Sequence, residues 1–207
     1  MASVEQAKVS PPQNAPRGDK RRKRILRALH DCIIEKGYAK TTLADIAKVA
    51  DMYPSHLLYY FDGKDAILGY YFKNVSEKIL QRIECHHDKS PQQQIDSLSE
   101  LFFAGKGITI SEIGFMLECF GVAVHHSELH REKAELDDRC KAYITRLFEN
   151  TPRQGVISGP KDTAEIAYAM LIGLRTAVYF DKSMELPAAH RLFRNTMLAL
   201  AGIDSSN

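Results

Sequence analysis

The sequence lacks the features that would mark it as secreted, membrane-bound or catalytic. It has no tryptophan, and its four cysteines, Cys32, Cys85, Cys119 and Cys140, are widely spaced with no C-x-x-C pair. Scattered cysteines of this kind predict reduced thiols and a cytoplasmic protein rather than a disulfide framework. No apolar run approaches the ~18 residues that a membrane helix needs, and the polar N-terminus has no secretory signal.

Motifs for catalysis are absent as well. The sequence contains no G-x-S-x-G, P-loop, G-x-G-x-x-G or H-E-x-x-H pattern, and its Ser, His and acidic residues show no catalytic spacing. We therefore predict no enzymatic activity, no catalytic residue and no cofactor.

What the chain does have is an uneven charge distribution. Residues 1–73 hold thirteen Lys or Arg against eight Asp or Glu, whereas residues 74–207 hold fifteen against eighteen. The basic N-terminal part is where a phosphate-binding element is expected, although a net charge of +5 is modest.

Residues 41–61, TTLADIAKVADMYPSHLLYYF, predict two short helices joined by a tight turn. Thr42 can cap the first helix, with Asp45 at N3 as its reciprocal partner. Pro54 suits the first turn of the second helix. The second helix has an apolar side of Leu57, Leu58 and Phe61, which leaves Ser55, His56, Tyr59 and Tyr60 to point elsewhere. Two short helices with a polar outer face on the second describe a helix-turn-helix.

Together with the DGKDAIL that follows, this stretch resembles the TetR family of transcriptional regulators over residues 24 to 71. The chain departs from the family pattern in three ways: Asp51 replaces the turn glycine, Tyr53 replaces the serine at the second helix cap, and Leu58-Tyr59 replaces a Tyr-His pair. The resemblance implies that helix 53–60 enters the major groove of double-stranded DNA. It places Pro54, Ser55, His56 and Tyr59 against bases or sugar edges, and Thr41, Thr42, Tyr60 and Lys64 against phosphates.

A basic run at residues 20–24 opens the first helix and allows two interpretations. It is either a solvated helix start or a clamp in which Arg21 and Arg22 hold the DNA backbone. Cations oppose the dipole at a helix N-terminus, so the run costs the helix something, and its place beside the helix-turn-helix favours the clamp.

The remaining chain predicts helices only, so the fold class is all-α with about nine helices, three before residue 62 and six after it. Residues 1–17 are expected to be a disordered extension, residues 18–63 the DNA-binding domain, and residues 64–207 an effector-binding and dimerisation domain that begins with a connecting helix at 64–85. Capping boxes are predicted at Ser90 and Thr109, and a helix start at Asp162. The TetR family has the same plan.

Helix 163–180 is apolar nearly all round, which indicates either a homodimer interface or a fully buried helix in a monomer. A helix-turn-helix usually reads an operator with two half-sites, which favours the dimer. The expected interface residues are Met170, Leu174, Ala177, Val178, Phe193 and Met197.

Two further groups of residues are candidates for binding. Phe102, Phe103, Phe115, Met116, Phe120, Val124 and Tyr143 lie where the family has its effector pocket, although such residues also form ordinary core. His125, His126 and His130 suggest a metal site, but Ser127 breaks the helical spacing, so we predict no bound metal.

The sequence thus predicts a homodimeric, ligand-responsive DNA-binding regulator, a repressor released by a small apolar or amphipathic effector. Two other classes stay open: a helical small-molecule binding protein whose helix-turn-helix no longer binds DNA, and an architectural DNA binder that tolerates many sequences.

Overall fold

The computed structural model describes residues 16–105, 108–152 and 159–204. Within these ranges the chain forms nine α-helices, one π-helical turn and no strand. The elements are α1 (Pro16–Lys36), α2 (Leu43–Val49), α3 (Pro54–Tyr60), α4 (Lys64–Glu84), α5 (Pro91–Ser99), a π turn (Glu100–Ala104), α6 (Ile110–Ala123), α7 (Ser127–Glu149), α8 (Pro160–Phe180) and α9 (Leu186–Ala201). The all-α prediction is confirmed for the described residues. The predicted disordered extension lies, up to residue 15, outside them.

Helices α1 to α3 form the small bundle that the capping signals predicted. The Thr42 hydroxyl accepts from the Asp45 N–H at 3.2 Å, and Asp45 Oδ2 accepts from the Thr42 N–H at 2.8 Å, which is a complete capping box. Pro54 begins α3, where its missing N–H costs nothing. Ile25, Leu29, Ile46, Ala47 and Leu57 are fully buried between the three helices.

Helix α1 ends at a left-handed glycine. Gly37 has a φ of 78°, and its N–H donates to the Ile33 carbonyl at 2.8 Å. A residue with a Cβ pays a steric cost in that conformation, so glycine allows the chain to turn sharply towards α2.

The helix starts in the second half of the chain follow the predictions only in part. Ser90 and Gln93 form a full capping box, whereas Thr109 accepts from the Glu112 N–H at 3.1 Å without a reciprocal bond. The start predicted at Asp162 was wrong, because α8 begins at Pro160 after Gly159, whose φ is 124°. The preceding residues 153–158 lie outside the described chain.

The helix that begins with α5 continues to Ala104 by changing its hydrogen bonding. Its last turn is a π turn in which the Gly105 N–H donates to the Glu100 carbonyl at 2.6 Å, five residues back. Such a turn shifts the facing of the helix and releases carbonyls from their usual partners.

The C-terminal helices pack in a second group around α7 and α8, which lie along each other. Helix α4 packs on α7, α9 covers α5 and the π turn, and α1 touches α4 and α6. Helix α4 therefore spans both groups of helices.

The four cysteines are all free thiols, and three of them are buried. Burial raises the pKa of Cys119 and of Cys140 to about 12. Cys85, at the end of α4, is exposed. No described helix is both long enough and apolar enough to cross a membrane.

Candidate functional site

One side of α3 is exposed, as the helix-turn-helix prediction requires. Leu57 alone among its residues is buried, while Pro54, Ser55, His56 and Tyr59 are exposed and Tyr60 is partly so. Leu58 was predicted to lie on the apolar side and does not, because 53% of it is exposed. The outer surface of α3 therefore combines hydroxyl, imidazole and aromatic groups with one free aliphatic side chain.

The N-terminal half of α1 lies beside this surface and makes it basic. Arg21 Nη1 donates to the Tyr60 hydroxyl at 3.2 Å, and the Arg22 guanidinium lies 5.8 Å from the centre of the Tyr60 ring. Arg24 pairs with Asp51 across the turn at 2.9 Å. The basic run is thus held against the end of α3 by Tyr60.

A shallow groove between α1, the turn and α3 contains residues that the sequence analysis did not select. Its lining includes Arg24, Lys48 and Tyr53 as well as the predicted Arg21, His56, Tyr59 and Tyr60. Tyr53 was considered only as a helix cap, yet it makes no side-chain capping bond and is exposed. The sequence did contain a signal for this position: tyrosine is an unusual helix cap, and an aromatic side chain there is free to lie on the surface.

Two side chains that were predicted to contact phosphates instead form hydrogen bonds within the protein. Thr41 is 2% exposed, and its hydroxyl donates to the Gly37 carbonyl at 2.8 Å, so the predicted phosphate contact by this side chain is wrong. Lys64 Nζ donates to the carbonyls of Tyr38 and Thr41 at 2.8 and 2.9 Å and lies 4.0 Å from the centre of the Tyr38 ring. Lys64 therefore fastens the start of α4 to the segment between α1 and α2.

Thr42 remains exposed, but its side chain is fixed by the capping box. Asp45 also pairs with Lys36 at 2.6 Å, and these two partners hold the pKa of its carboxyl far below the usual range. The capping box and the Lys36 pair therefore hold the start of α2 in place.

The second group of helices encloses a cavity of about 180 Å³. Helices α4, α6, α7 and α8 and the π turn supply mostly apolar walls, among them Val75, Ile79, Leu101, Phe102, Ile113, Met116, Phe120, Leu136 and Leu171. Apolar walls with few polar groups are typical of small-molecule sites.

Three of the seven predicted pocket residues, Phe102, Met116 and Phe120, line this cavity, and the other four do not. Phe103 packs on Phe193 with ring centres 5.3 Å apart, and Phe115 packs on His30 and Tyr71. Tyr143 is buried beside Arg146, and Val124 is 70% exposed. Helical spacing cannot separate cavity wall from core, so the prediction was wrong for these four.

Four charged side chains line the cavity: Arg82, Glu112, Lys133 and Arg175. Lys133 pairs with Asp137, which also accepts from the Tyr168 hydroxyl at 2.6 Å. Arg175 is partly buried, and its Nη1 donates to the Phe102 carbonyl at 2.6 Å. Burial lowers the pKa of Arg175, although an arginine stays charged near neutral pH.

Glu112 connects the cavity to α1. Its Oε1 lies 2.9 Å from His30 Nε2, but the ring N–H is not aligned with the oxygen as in a linear hydrogen bond, so the contact is an ion pair. The His30 ring packs against both Tyr71 and Phe115, which also contact each other, and Asp31 is 3.3 Å from its Nδ1. The pair with Glu112 outweighs burial and raises the pKa of His30.

The predicted dimer interface divides into two sets. Val178, Phe193 and Met197 are buried inside the protomer, so a partner cannot touch them and this part of the prediction was wrong. Met170, Leu174 and Ala177 are partly exposed on α8, on the same side as the exposed Ile166, and Leu192 is exposed on α9.

The histidines near the start of α7 do not form a metal site within the described residues. His126 is the cap of α7 rather than part of a continuous helix, and its Nδ1 accepts from the Leu129 N–H at 3.3 Å. The break predicted at residue 127 is therefore real.

Comparisons with known proteins agree with this geometry. Residues 25–71 match the family model described as bacterial regulatory proteins, tetR family. The HTH-type transcriptional regulator BetI of Stenotrophomonas maltophilia (strain R551-3) is 25% identical over 131 residues, which are 62% of this chain and 67% of that protein.

Solved structures share the helical arrangement over most of the chain. A transcriptional regulator from Saccharomonospora viridis in complex with choline has a TM-score of 0.77 at 19% identity, with 87% of this chain and 96% of that chain covered. A TetR transcription regulator from Haloarcula marismortui has a TM-score of 0.76 at 18% identity, covering 88% and 98%.

The N-terminal helices and their exposed α3 define a helix-turn-helix DNA-binding protein that regulates transcription. Within that class, residues 25–71 carry the DNA-binding region of the tetR family of bacterial regulatory proteins.

Proposed function

We propose that the protein is a cytoplasmic, homodimeric transcriptional repressor that a small effector releases from its operator. The observation that carries this proposal is the exposed face of α3, bordered by the arginines of α1. Side chains on such a face reach base edges in the major groove, while cations beside it contact phosphates.

We assign base reading to Ser55, His56 and Tyr59, with Pro54 at the base or sugar edge, and backbone contacts to Arg21, Arg22, Thr42 and Tyr60. His56 can donate to or accept from a base edge, and the Tyr59 ring suits a thymine methyl group. Because Lys64 is engaged with two carbonyls, only its third proton and the adjacent α4 N-terminus remain for a phosphate.

Dimerisation would use the exposed apolar stripe of α8 and α9. Ile166, Met170, Ala177 and Leu192 face outward, and Gly173 between them lets a partner helix approach closely. Two copies related by a two-fold axis would form a four-helix interface and present two copies of α3 to two half-sites.

Helix α4 is suited to couple the cavity to DNA binding. Val75 and Ile79 line the cavity, and Lys64 at the start of the same helix is bonded to the helix-turn-helix domain. Eleven residues separate Lys64 from Val75, about 16 Å of helix. An effector that fits only one position of α4 would therefore favour one separation of the two recognition helices.

Fluorescence anisotropy on DNA from the gene's own upstream region, against a scrambled duplex over a salt series, tests the proposal. We expect tight binding to the native fragment alone and a loss of about 5- to 150-fold in His56→Ala, since a base contact contributes about 1–3 kcal/mol. His87→Ala, an exposed histidine after α4, is the matched control. Equal and steeply salt-dependent binding to both duplexes would favour an architectural protein instead. No binding at low salt would favour a small-molecule binding protein.

The dimer is tested by sedimentation velocity on Ile166→Glu and Leu192→Glu. Each places a charge on the outward stripe without entering the core, so we expect folded monomers with weaker DNA binding. Ile110→Glu, an equally exposed isoleucine at the start of α6, should leave the dimer intact. A dimer that survives both stripe variants would move the interface elsewhere.

A further inference from the structure

We propose that the cavity binds a compact carboxylate, aromatic or branched aliphatic, whose anionic group lies against Arg175. The inference rests on the proposed function only in treating this cavity as the effector site. It adds the charge, size and anchoring residue of the ligand.

The size of the cavity limits the ligand. A cavity of about 150 Å³ holds one benzene molecule, and sites for drug-sized ligands usually measure about 300–1,000 Å³. At about 180 Å³ this cavity suits a ring or branched chain with one short polar group, roughly ten non-hydrogen atoms. A long acyl chain does not fit the cavity as it stands.

Arg175 is the polar anchor that these walls offer. Among the described residues, no carboxylate oxygen lies within 4.0 Å of its guanidinium, and the Phe102 carbonyl is its one hydrogen-bond acceptor. Glu112 is near enough to act on Arg175 through its charge but does not contact the guanidinium. A partly buried cation without a direct ionic contact is costly, and an anionic ligand would supply that contact. The planar guanidinium also matches a carboxylate with two parallel N–H donors.

The C-terminal end of the π turn holds Arg175 ready for a ligand. Because the helix ends at Ala104, the Phe102 carbonyl in its last turn is available to accept from Arg175 across the gap between α8 and the turn. That bond uses one N–H of the five and fixes the plane of the group. Phe102 itself lines the cavity, so the anchor and an apolar wall come from the same residue.

The same cavity is poorly suited to a cationic ligand. Lys133 Nζ lies 4.5 Å from the centre of the Phe120 ring, so the chain's own ammonium occupies that aromatic face. The two nearby carboxylates are also engaged: Glu112 with His30, and Asp137 with Lys133 and Tyr168. The ligand chemistry should therefore differ from that of the choline-bound regulator from Saccharomonospora viridis.

Isothermal titration of the full chain tests the proposal with four probes: benzoate, phenylacetate, the neutral 2-phenylethanol and the cation choline. We expect phenylacetate or benzoate to bind at least tenfold more tightly than 2-phenylethanol, and choline not to bind at millimolar concentration. Choline binding as tight as the carboxylates, or no binding of either carboxylate at millimolar concentration, would overturn the proposal.

Arg175→Gln tests the anchor, with Arg82→Gln as a control because Arg82 is an exposed arginine on the same lining. The Arg175 variant should lose the preference for phenylacetate over 2-phenylethanol, and the Arg82 variant should keep it. An unchanged preference in Arg175→Gln would remove Arg175 from the site. If that variant fails to fold, the carboxylate-to-alcohol ratio of the unaltered chain decides the ligand class by itself.

The same preparation, tested for DNA binding by anisotropy, separates the two proposals. Operator binding together with choline rather than carboxylate binding leaves the regulator standing and overturns the ligand class. Carboxylate binding without any DNA binding supports the ligand class and contradicts the repressor.

Discussion

Asp51 is the one non-glycine residue with positive φ in the described chain, at 49°, in the turn where the family usually has glycine. Aspartate tolerates this conformation better than most residues. Its carboxylate also pairs with Arg24, so a negative charge lies inside an otherwise basic groove. This charge should weaken phosphate binding.

We therefore expect Asp51→Asn to bind DNA several-fold more tightly at low salt, with a steeper salt dependence. Asparagine keeps the tolerance for left-handed backbone, removes the negative charge and releases Arg24 to contact phosphate. Anisotropy on native and scrambled duplexes measures both effects. Asp88→Asn, an exposed aspartate after the far end of α4, makes the same charge change away from the groove and should alter neither. An unchanged salt slope in Asp51→Asn would show that Arg24 does not reach DNA.

Gly37 and Gly121 make a matched pair for a test of backbone conformation. Gly37→Ala should lower the free energy of unfolding by about 1–2 kcal/mol, because φ is 78° there. Gly121→Ala should raise it by up to about 1 kcal/mol, since this exposed glycine is inside α6 and nothing lies within 4 Å of its added Cβ. Urea unfolding gives both values, and a shift of the same sign at both positions would contradict the assignment.

At the scale of elements, α4 contacts both the DNA-binding helices and the cavity. Its start is bonded to the helix-turn-helix segment through Lys64, and its middle forms cavity wall. A rigid helix with one end fastened and one side open to a ligand transmits a displacement rather than absorbing it.

Replacing Lys64 by methionine should loosen that attachment. The variant leaves the carbonyls of Tyr38 and Thr41 without their charged donor, so we expect a loss of about 1–3 kcal/mol in unfolding free energy. If Lys64 served only to contact DNA, its replacement would leave the unfolding free energy of the DNA-free protein unchanged. Thermal unfolding of the free protein distinguishes the two roles, with the exposed Lys73→Met on the same helix as control.

The local signals in the sequence located most elements correctly. Thr42 with Asp45, Pro54, Gly37 and Gly202 each define a helix end through bonds within a few residues, and such ends can be predicted from sequence. The start of α8 was missed because Gly159 and Pro160 define it without a side-chain cap.

Roles that depend on distant partners could not be predicted in this way. Thr41 is hidden by bonds to Gly37 and Lys64, and Phe193 by its packing on Phe103, ninety residues earlier in the chain. A helical repeat of apolar residues gives the spacing of a buried face but not its neighbour. Residues of the core, of the cavity wall and of a partner interface therefore show the same helical repeat in the sequence and cannot be told apart by it.

At the scale of the whole molecule, the pair between His30 and Glu112 joins the DNA-binding helices to the cavity. Because the folded state raises the pKa of His30, protonated His30 contributes stability that is complete below the unfolded pKa of about 6.5. That contribution is lost as pH rises through the higher folded value. Asp31 and Glu112 are the charged groups that face the ring, which packs against Tyr71 and Phe115.

We expect the His30 ring proton signal to titrate above pH 6.5 in NMR spectra, and to titrate at lower pH in Glu112→Gln. The same substitution should reduce the fall in unfolding free energy as pH rises above about 6.5. Glu149→Gln, an exposed acid at the end of α7, should change neither quantity. A His30 that titrates below 6.5 would show that burial outweighs the ion pair.

The uneven burial of the cysteines has a practical consequence for measuring these motions. A thiol-reactive spin label should attach to Cys85 and leave Cys32, Cys119 and Cys140 unmodified, because the latter three are buried. The label would lie at the end of α4 away from the helix-turn-helix, without any engineered residue. In the proposed dimer, the distance between the two labels would change whenever α4 tilts. Pulsed electron paramagnetic resonance could then follow effector and operator binding on one unaltered chain.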